Sequence, residues 1–284
     1  MRLCIPILIS WLLACGSSSK SEDSGVDSGG VGSADDTPAP DDAVDLEPIP
    51  YESEPLFDVT GGPYDLAVHD DGRVFCTVQE SRLMVWDAAV GWVEEVSDDL
   101  GPIFSIALVD DAVYFTTSTH RQSGTLSRLV DGEVEVLATA AGSTIFREPT
   151  DLAMAPDGSW AVADKTLETL IGVSPDGEAW LIASPGPLST LAFQGNTLYF
   201  GGESGTWSMK WPDGDPTAVD ARSTNGLHVW DGKVWGTNTA SRVYEIGGTL
   251  SIPVEGVRVP GRLAGSDTLY MSDWGLADVW AIEG

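Results

Sequence analysis

The segment TDLAMAPDGSWAVAD, residues 150–164, joins an apolar pair to an Asp-Gly turn and a second apolar run. Its apolar pair has five counterparts, spaced along the chain at intervals of 36 to 46 residues. The six pairs are Leu66-Ala67, Ile106-Ala107, Leu152-Ala153, Leu191-Ala192, Leu227-His228 and Leu263-Ala264. A repeat of this length indicates a propeller or a solenoid, because one such unit cannot bury its own apolar face.

Each unit contains four short apolar runs that are separated by turns. In the first unit the runs are 64–68, 74–78, 82–86 and 92–96. Asp-Gly between two such runs is typical of a hairpin, because glycine adopts φ > 0 without steric cost. No segment shows a sustained apolar period of 3.6 residues, so the sequence predicts an all-β fold.

The last unit ends after its third strand, at 278–282, and this bears on how the fold is completed. A missing fourth strand would leave an open sheet edge, which natural β proteins avoid. Residues 56–59 precede the first unit and have the pattern of a fourth strand. We therefore predict, for residues 55–284, a six-bladed β-propeller of four-stranded blades whose last blade is closed by an N-terminal strand. The alternative is an open β-solenoid.

The N-terminus has the pattern of an export signal. An apolar stretch at 3–13 follows Met1-Arg2 and is too short to span a membrane. It ends Leu12-Leu13-Ala14-Cys15-Gly16, which resembles the lipobox of bacterial lipoproteins. The resemblance implies that 1–14 is removed, that Cys15 is lipidated and that the protein is anchored in the bacterial cell envelope, at the outer membrane. The alternative is an ordinary secretory signal with an incidental cysteine.

Residues 15–54 separate this signal from the repeats. They are rich in Ser, Gly, Asp and Pro, and 16–54 contain eleven acidic residues and one lysine. Low hydrophobicity with high charge cannot offset the entropy of ordering a chain, so we predict a disordered tether.

The formal net charge of the chain is −30. Such an excess of acid argues against nucleic acid as a partner and favours solubility, cationic partners or divalent metal. Once Cys4 leaves with the signal and Cys15 carries lipid, Cys76 remains alone, so the domain relies on its apolar core instead of disulfides. We expect a monomer.

In a propeller, the residues that enter the first strands and the loops after the second strands share one face, and loops of this kind often carry function. The entering residues form a polar ring that consists of Asp65, Ser105, Asp151, Thr190, Asn225 and Arg262. The ligand candidates in this ring are Asp65, Asp151, Asn225 and Arg262, and the loop candidates are Asp164, Glu203, Asp273 and Trp274. Asp65, Asp151 and Asn225 supply oxygen atoms from three units, which suits a hard cation such as Ca²⁺. The alternative is that these side chains cap strand ends and bond to local backbone N–H groups.

The repeat containing Pro149-Thr150-Asp151-Leu152-Ala153 and Pro156-Asp157-Gly158 resembles the NHL and senescence-marker/gluconolactonase propellers. Thr224-Asn225-Gly226-Leu227 is similar to the Asn-Gly-Leu motif of the latter family, and the resemblance implies that Asn225 binds a catalytic divalent metal. The first unit, from Gly62 to Glu80, also looks like a streptogramin-lyase repeat.

Two functions follow from these observations. No complete catalytic set is visible in the sequence, so our leading hypothesis is a binding module that holds a protein, peptide or glycan on its polar axial face. The alternative is a metal-dependent, calcium-type hydrolase of the lactonase kind.

The lipobox leads to a direct test. Changing Cys15 to Ser should abolish labelling with a radioactive fatty acid and release the protein from the membrane fraction, because the acyl chains provide the anchor. A Cys15→Ser protein that stays in the membrane fraction would contradict lipidation at this residue.

Overall fold

A computed structural model describes residues 57–58, 62–78, 82–87, 89–97, 100–119, 121–182, 186–240, 242–254, 256–276 and 278–282. The predicted signal peptide (1–14), Cys15 and the tether (15–54) lie outside the described residues. Within the described part, no helix is long and apolar enough to cross a membrane.

The described residues form strands and no helix, which confirms the all-β prediction. Most strands belong to six four-stranded antiparallel sheets, here called sheets I to VI. Sheets I to III contain β2 Pro63–Val68, β3 Val74–Val78, β4 Arg82–Asp87 and β5 Trp92–Ser97; β6 Ile103–Val109, β7 Ala112–Thr119, β8 Ser123–Val130 and β9 Glu133–Ala138; and β12 Pro149–Met154, β13 Trp160–Asp164, β14 Thr169–Val173 and β15 Ala179–Ile182.

Sheets IV to VI follow the same pattern along the chain. They contain β16 Thr190–Gln194, β17 Thr197–Gly202, β18 Gly205–Lys210 and β19 Thr217–Asp220; β20 Gly226–Trp230, β21 Lys233–Asn238, β22 Arg242–Glu245 and β23 Ser251–Pro253; and β24 Pro260–Gly265, β25 Leu269–Asp273, β26 Asp278–Ile282 and β1 Phe57–Asp58. A small hairpin, β10 Ala140–Ala141 with β11 Thr144–Ile145, lies between sheets II and III and was not predicted.

Asp-Gly pairs close the hairpins between first and second strands in sheets I, III and V, as the sequence predicts. Between β20 and β21, Asp231 has φ = 48° and Gly232 has φ = 71°. Two successive residues with φ > 0 give a turn whose twist matches that of the flanking strands. This backbone is strained for most side chains, which accounts for Asp and Gly at these positions.

The first strand of each sheet contacts the first strand of the next one. Contacts run in the order β2, β6, β12, β16, β20 and β24, and β24 also contacts β2. Apolar clusters fill the space between neighbouring sheets. One joins Phe75 of sheet I to Phe115 of sheet II, and another joins Val162 of sheet III to Phe146 and Leu126. The inner strands therefore lie side by side around a common space, where the candidate site residues are found.

The strand β1 pairs with β26 in antiparallel register, Phe57 opposite Val279 and Asp58 opposite Asp278. It is the outermost strand of sheet VI, so the first and the last described segments of the chain meet in a single sheet.

This pairing predicts different effects for two deletions. Removal of residues 16–50 should leave the melting temperature nearly unchanged, whereas removal of 16–60 also deletes β1 and exposes the edge of β26. We expect the longer deletion to cost several kcal/mol or to cause aggregation. Equal melting temperatures in thermal unfolding would contradict a stabilising role for β1.

Candidate functional site

Bulges at the start of four inner strands direct side chains towards the common space. In β2, three steps from Pro63 to Leu66 face two steps on β3, from Val78 to Cys76. The same irregularity occurs at the start of β6, β12 and β24, whereas β16 and β20 pair without one. A bulge re-aims the side chains beside it. The four bulged strands carry Asp65, Ser105, Asp151 and Arg262.

These four side chains form a buried cluster, which we call the axial cluster. The Oγ atom of Ser105 lies 2.5 Å from Asp65 Oδ2 and 2.7 Å from Asp151 Oδ1. Its hydroxyl has a single proton and can donate to one carboxylate at a time. Each carboxylate also accepts a hydrogen bond from its own following residue, Leu66 N–H or Leu152 N–H, at 2.9 Å.

Arg262 reaches from β24 to β12. Its Nη1 donates to Asp151 Oδ2 at 2.7 Å and its Nη2 to the carbonyl oxygen of Thr150 at 2.8 Å. The Nε atom lies 3.9 Å from Asp65 Oδ1 and has no hydrogen-bond partner. Arg262 is only 4% exposed. The guanidinium therefore ties sheet VI to sheet III from the inside.

The entering side chains also bond to the backbone of the next sheet. Asp65 Oδ2 accepts the N–H of Ile106 at 2.9 Å, and Asp151 Oδ2 accepts the N–H of Leu191 at 2.6 Å. Thr190 Oγ1 accepts the N–H of Leu227. These bonds fit the alternative that the polar ring satisfies backbone groups, because a buried unpaired N–H is costly.

Asn225 also bonds to the backbone of the next sheet, but as a donor: its Nδ2 donates to the carbonyl oxygen of Pro260 at 3.0 Å. It lies at the cavity described below, away from the hydrogen bonds that join Asp65, Ser105 and Asp151.

Two loop candidates, Asp164 and Asp273, are fully buried and hold loops in place. Asp164 accepts hydrogen bonds from the N–H groups of Arg147, Glu148 and Leu167. Asp273 does the same for another loop; its donors are the N–H groups of Arg258, Val259 and Gly275. Both carboxylates are turned inwards, so the geometry assigns them to loop capping.

The oxygen atoms of Asp65, Asp151 and Asn225 do not fit a calcium site. Arg262 already provides the positive charge beside the two carboxylates, and Asn225 directs its amide nitrogen to Pro260. Among the described residues, no group of three or more His, Cys, Asp or Glu side chains is suited to a metal ion. We therefore derive no chemical step through a metal at this position.

A cavity of about 430 Å³, here called the mouth cavity, has Arg262 in its lining. Its wall contains Trp274, which stacks on Tyr64 with ring centroids 5.5 Å apart and donates its Nε1–H to the Tyr64 carbonyl. The remaining lining residues are Thr150, Lys165, Pro187, Leu188, Ser189, Gly202, Glu203, Ser223, Thr224, Asn225, Thr239 and Arg262. Of the predicted candidates, Asn225, Glu203, Trp274 and Arg262 thus share this cavity.

A second cavity of about 440 Å³ lies further along the six first strands, beyond their entering residues. Its wall is formed largely by the apolar pairs, with His228 in place of an alanine. His228 Nε2 bonds to the Gly265 carbonyl oxygen, and burial lowers the pKa of its ring. This histidine joins β20 to β24 in the protein interior.

Burial raises the pKa of Asp65 to about 6, and the nearby Asp151 adds to this effect, while Arg262 and the hydrogen bonds from Ser105 and Ile106 oppose it. Burial likewise raises the pKa of the Tyr64 hydroxyl. Ser105 belongs to the polar ring of entering residues that the sequence predicted, although it was not among the ligand candidates, whereas Tyr64 was not predicted. Regular alternation would place Tyr64 and Asp65 on opposite faces of β2, and the bulge between Pro63 and Leu66 that changes this was not visible in the sequence.

The raised pKa of Asp65 predicts a pH-dependent stability. The folded state binds a proton between the ordinary pKa of 3.8 and about 6, so this contribution is greatest below 3.8 and is lost as pH rises through 6. The melting temperature of the wild type minus that of an Asp65→Asn variant should therefore fall as the pH rises from 5 to 7. His228 titrates with the opposite sign in both proteins and cancels in the difference.

The matched control is Asp273→Asn, which changes a buried aspartate outside the axial cluster and should keep the wild-type pH dependence. The melting temperatures are measured by circular dichroism. If the difference in melting temperature between the wild type and Asp65→Asn is the same at every pH in this range, the prediction is wrong.

The comparisons with known proteins bear on the fold. No family model matches the chain, and no curated protein matches it. Among solved structures, a gluconolactonase from Xanthomonas campestris is 18% identical with a TM-score of 0.70, over 80% of this chain and 87% of that one. Virginiamycin B lyase from Staphylococcus aureus is 17% identical with a TM-score of 0.60, over 82% and 85%.

A third similar structure is a luciferin-regenerating enzyme, 12% identical with a TM-score of 0.68, over 82% of this chain and 95% of that chain. These structures are propeller proteins of the gluconolactonase and senescence-marker type and of related types, as the sequence resemblance implied. At such low identity the likeness shows the fold alone. The chain has a β-propeller fold.

Proposed function

We propose that the six sheets are the blades of a closed six-bladed propeller. Two observations support this proposal: the inner strands contact one another in sequence with β24 beside β2, and β1 supplies the fourth strand of the last sheet. In a ring closed in this way, β1 covers the edge of β26, so the last sheet has four strands like the other five.

The lipobox at Cys15 and the acidic tether support a further part of the proposal. The propeller is carried on the bacterial cell envelope, at the outer membrane, by lipid on Cys15 and by a flexible spacer of residues 15–54. The spacer would let the mouth cavity meet molecules some distance from the membrane.

For the cavity itself, we propose that it takes a small polar molecule and that the protein is a hydrolase of the lactonase kind. The observation that carries this proposal is the mouth cavity. Its volume of about 430 Å³ is in the range of small-molecule sites, and its lining combines an aromatic wall with hydroxyl, amide and charged groups. A protein partner would call for a broader surface.

The similar structures favour an enzyme over the binding module of our leading sequence hypothesis. Two of them are named for the small molecule on which they act, the gluconolactonase and virginiamycin B lyase. A sugar lactone suits the mouth cavity of this chain, because Trp274 and Tyr64 offer a flat face for a ring and Ser189 and Thr239 add hydroxyl groups to the lining.

Within this proposal, Glu203 is the general base. Its exposed carboxylate lines the cavity, whereas the other acidic candidates are turned inwards to bond with backbone or with Arg262. It would take a proton from the water that attacks the lactone carbonyl carbon, and would return that proton to the ring oxygen as the ester C–O bond of the lactone breaks. Lys165, at the same cavity, would stabilise the negative charge that develops on the carbonyl oxygen.

The test uses the full-length protein in detergent and a panel of sugar lactones, with acid release followed by titration. We expect turnover in the wild type, a loss of about 10²-fold or more in kcat for Glu203→Gln, and a higher KM for Trp274→Ala. The control Glu133→Gln changes an exposed acid on β9 and should leave kinetics unchanged. Absence of both turnover and lactone binding in the wild type would return the protein to the binding-module hypothesis.

A further inference from the structure

The axial cluster presents oxygen atoms that a cation could share, yet a guanidinium lies among them. Two buried carboxylates, Asp65 and Asp151, come from two different sheets, and the carbonyl oxygen of Thr150 faces the same guanidinium. Carboxylate and carbonyl oxygens are the ligands that calcium prefers. Arg262 supplies the positive charge that these buried groups require.

Arg262 satisfies this set only in part. Its Nη1 and Nη2 atoms bond to Asp151 and Thr150 at 2.7 and 2.8 Å. Its Nε atom lies 3.9 Å from Asp65 Oδ1 and has no hydrogen-bond partner, although it is buried. A planar fork cannot reach all of these oxygens at once, whereas a spherical ion has no such directional restriction.

The backbone at Arg262 explains why its side chain occupies the space between these oxygens. The bulge at the start of β24 lies between Pro260 and Leu263, so it re-aims the residues at which Arg262 stands. Its backbone N–H is held by Ser272 Oγ at 2.8 Å. The side chain is thus directed across the common space towards β12.

We propose that Arg262 is a built-in substitute for a divalent cation, and that the oxygens around it form a latent cation site which becomes available when its side chain is shortened. The inference rests on the geometry of the axial cluster and is independent of the proposed lactonase activity. It also narrows that activity, because chemistry in the mouth cavity of the native protein then proceeds without a metal at the axial cluster.

The charged and titratable groups around this position support the assignment. Arg262 interacts electrostatically with Asp151, Asp65 and Tyr64. Removal of its side chain leaves two carboxylates in a buried space with no covalently attached counter-charge from β24. A divalent ion at the position of the guanidinium would supply the missing positive charge. Ser105 Oγ, which lies beside both carboxylates, would be a further neutral oxygen ligand.

The experiment compares Arg262→Ala with Arg262→Met in the full-length protein, by thermal unfolding with Ca²⁺ or with EDTA. Both variants lose the charge, but methionine retains much of the side-chain volume, whereas alanine opens space for an ion and its waters. We expect both to melt below the wild type in EDTA. Calcium at about 10⁻⁴–10⁻³ M, the range of weak extracellular sites, should raise the melting temperature of Arg262→Ala well above the change seen in Arg262→Met.

Non-specific screening of the acidic surface affects both variants equally, so their difference reports the latent site. Adding Asp151→Asn to Arg262→Ala should remove the calcium response. If Arg262→Ala is unfolded in EDTA, refolding with Ca²⁺ replaces the melting comparison, and recovery of the folded signal in this variant alone supports the proposal.

Three outcomes would overturn it. One is a calcium response of Arg262→Ala no larger than that of Arg262→Met. Another is failure of Arg262→Ala to refold in either condition. The third is a wild type that needs Ca²⁺, shown by a fall in its melting temperature with EDTA beyond that of Arg262→Met. Each outcome is read without a lactone, so a failure here is distinguishable from a failure of the proposed enzyme activity.

Discussion

The hydrogen bond from each entering side chain to the backbone of the next sheet is the constraint on which the site depends. Inner strands meet around a common space, where their entering N–H groups cannot all be paired within the sheets. Asp65, Asp151 and Thr190 accept the N–H groups of Ile106, Leu191 and Leu227. An unpaired buried donor would cost about 1–3 kcal/mol. The same side chains that appear available for chemistry are therefore needed to join the sheets.

This constraint explains which predictions from sequence succeeded. Apolar pairs, Asp-Gly turns and the repeat length reflect local backbone preferences, and they predicted strands and the propeller fold from residues such as Leu66, Gly158 and Gly232. The interval of 46 residues between Ile106 and Leu152 is the longest, and the extra hairpin β10–β11 lies within it. That insertion was visible in the spacing, although its strand pairing was not.

The parts of the site that escaped prediction depend on orientation. Aspartate at a strand end serves equally well as a ligand or as a cap, and sequence alone does not show which way Asp164 and Asp273 point. Bulges add a second uncertainty, because one extra residue changes the face on which every neighbouring side chain lies. The reach of Arg262 from β24 to Asp151 spans 111 positions of sequence and has no local signal.

The division between buried and exposed polar groups limits where a ligand could bind. At the axial cluster, the buried carboxylates are held by contacts within the cluster, since Arg262 faces Asp151 and Asp65 while Ser105 bridges the two carboxylates. A ligand that reached this layer would have to break those contacts and leave buried charge unpaired, which is costly. At the rim, Glu203 and Lys165 are exposed and Trp274 presents a ring face, so a ligand can be bound there without opening the inner layer. Rigid inner bonding and an accessible rim thus divide the work between two layers: the inner one positions the strands, and the outer one is free to recognise a molecule.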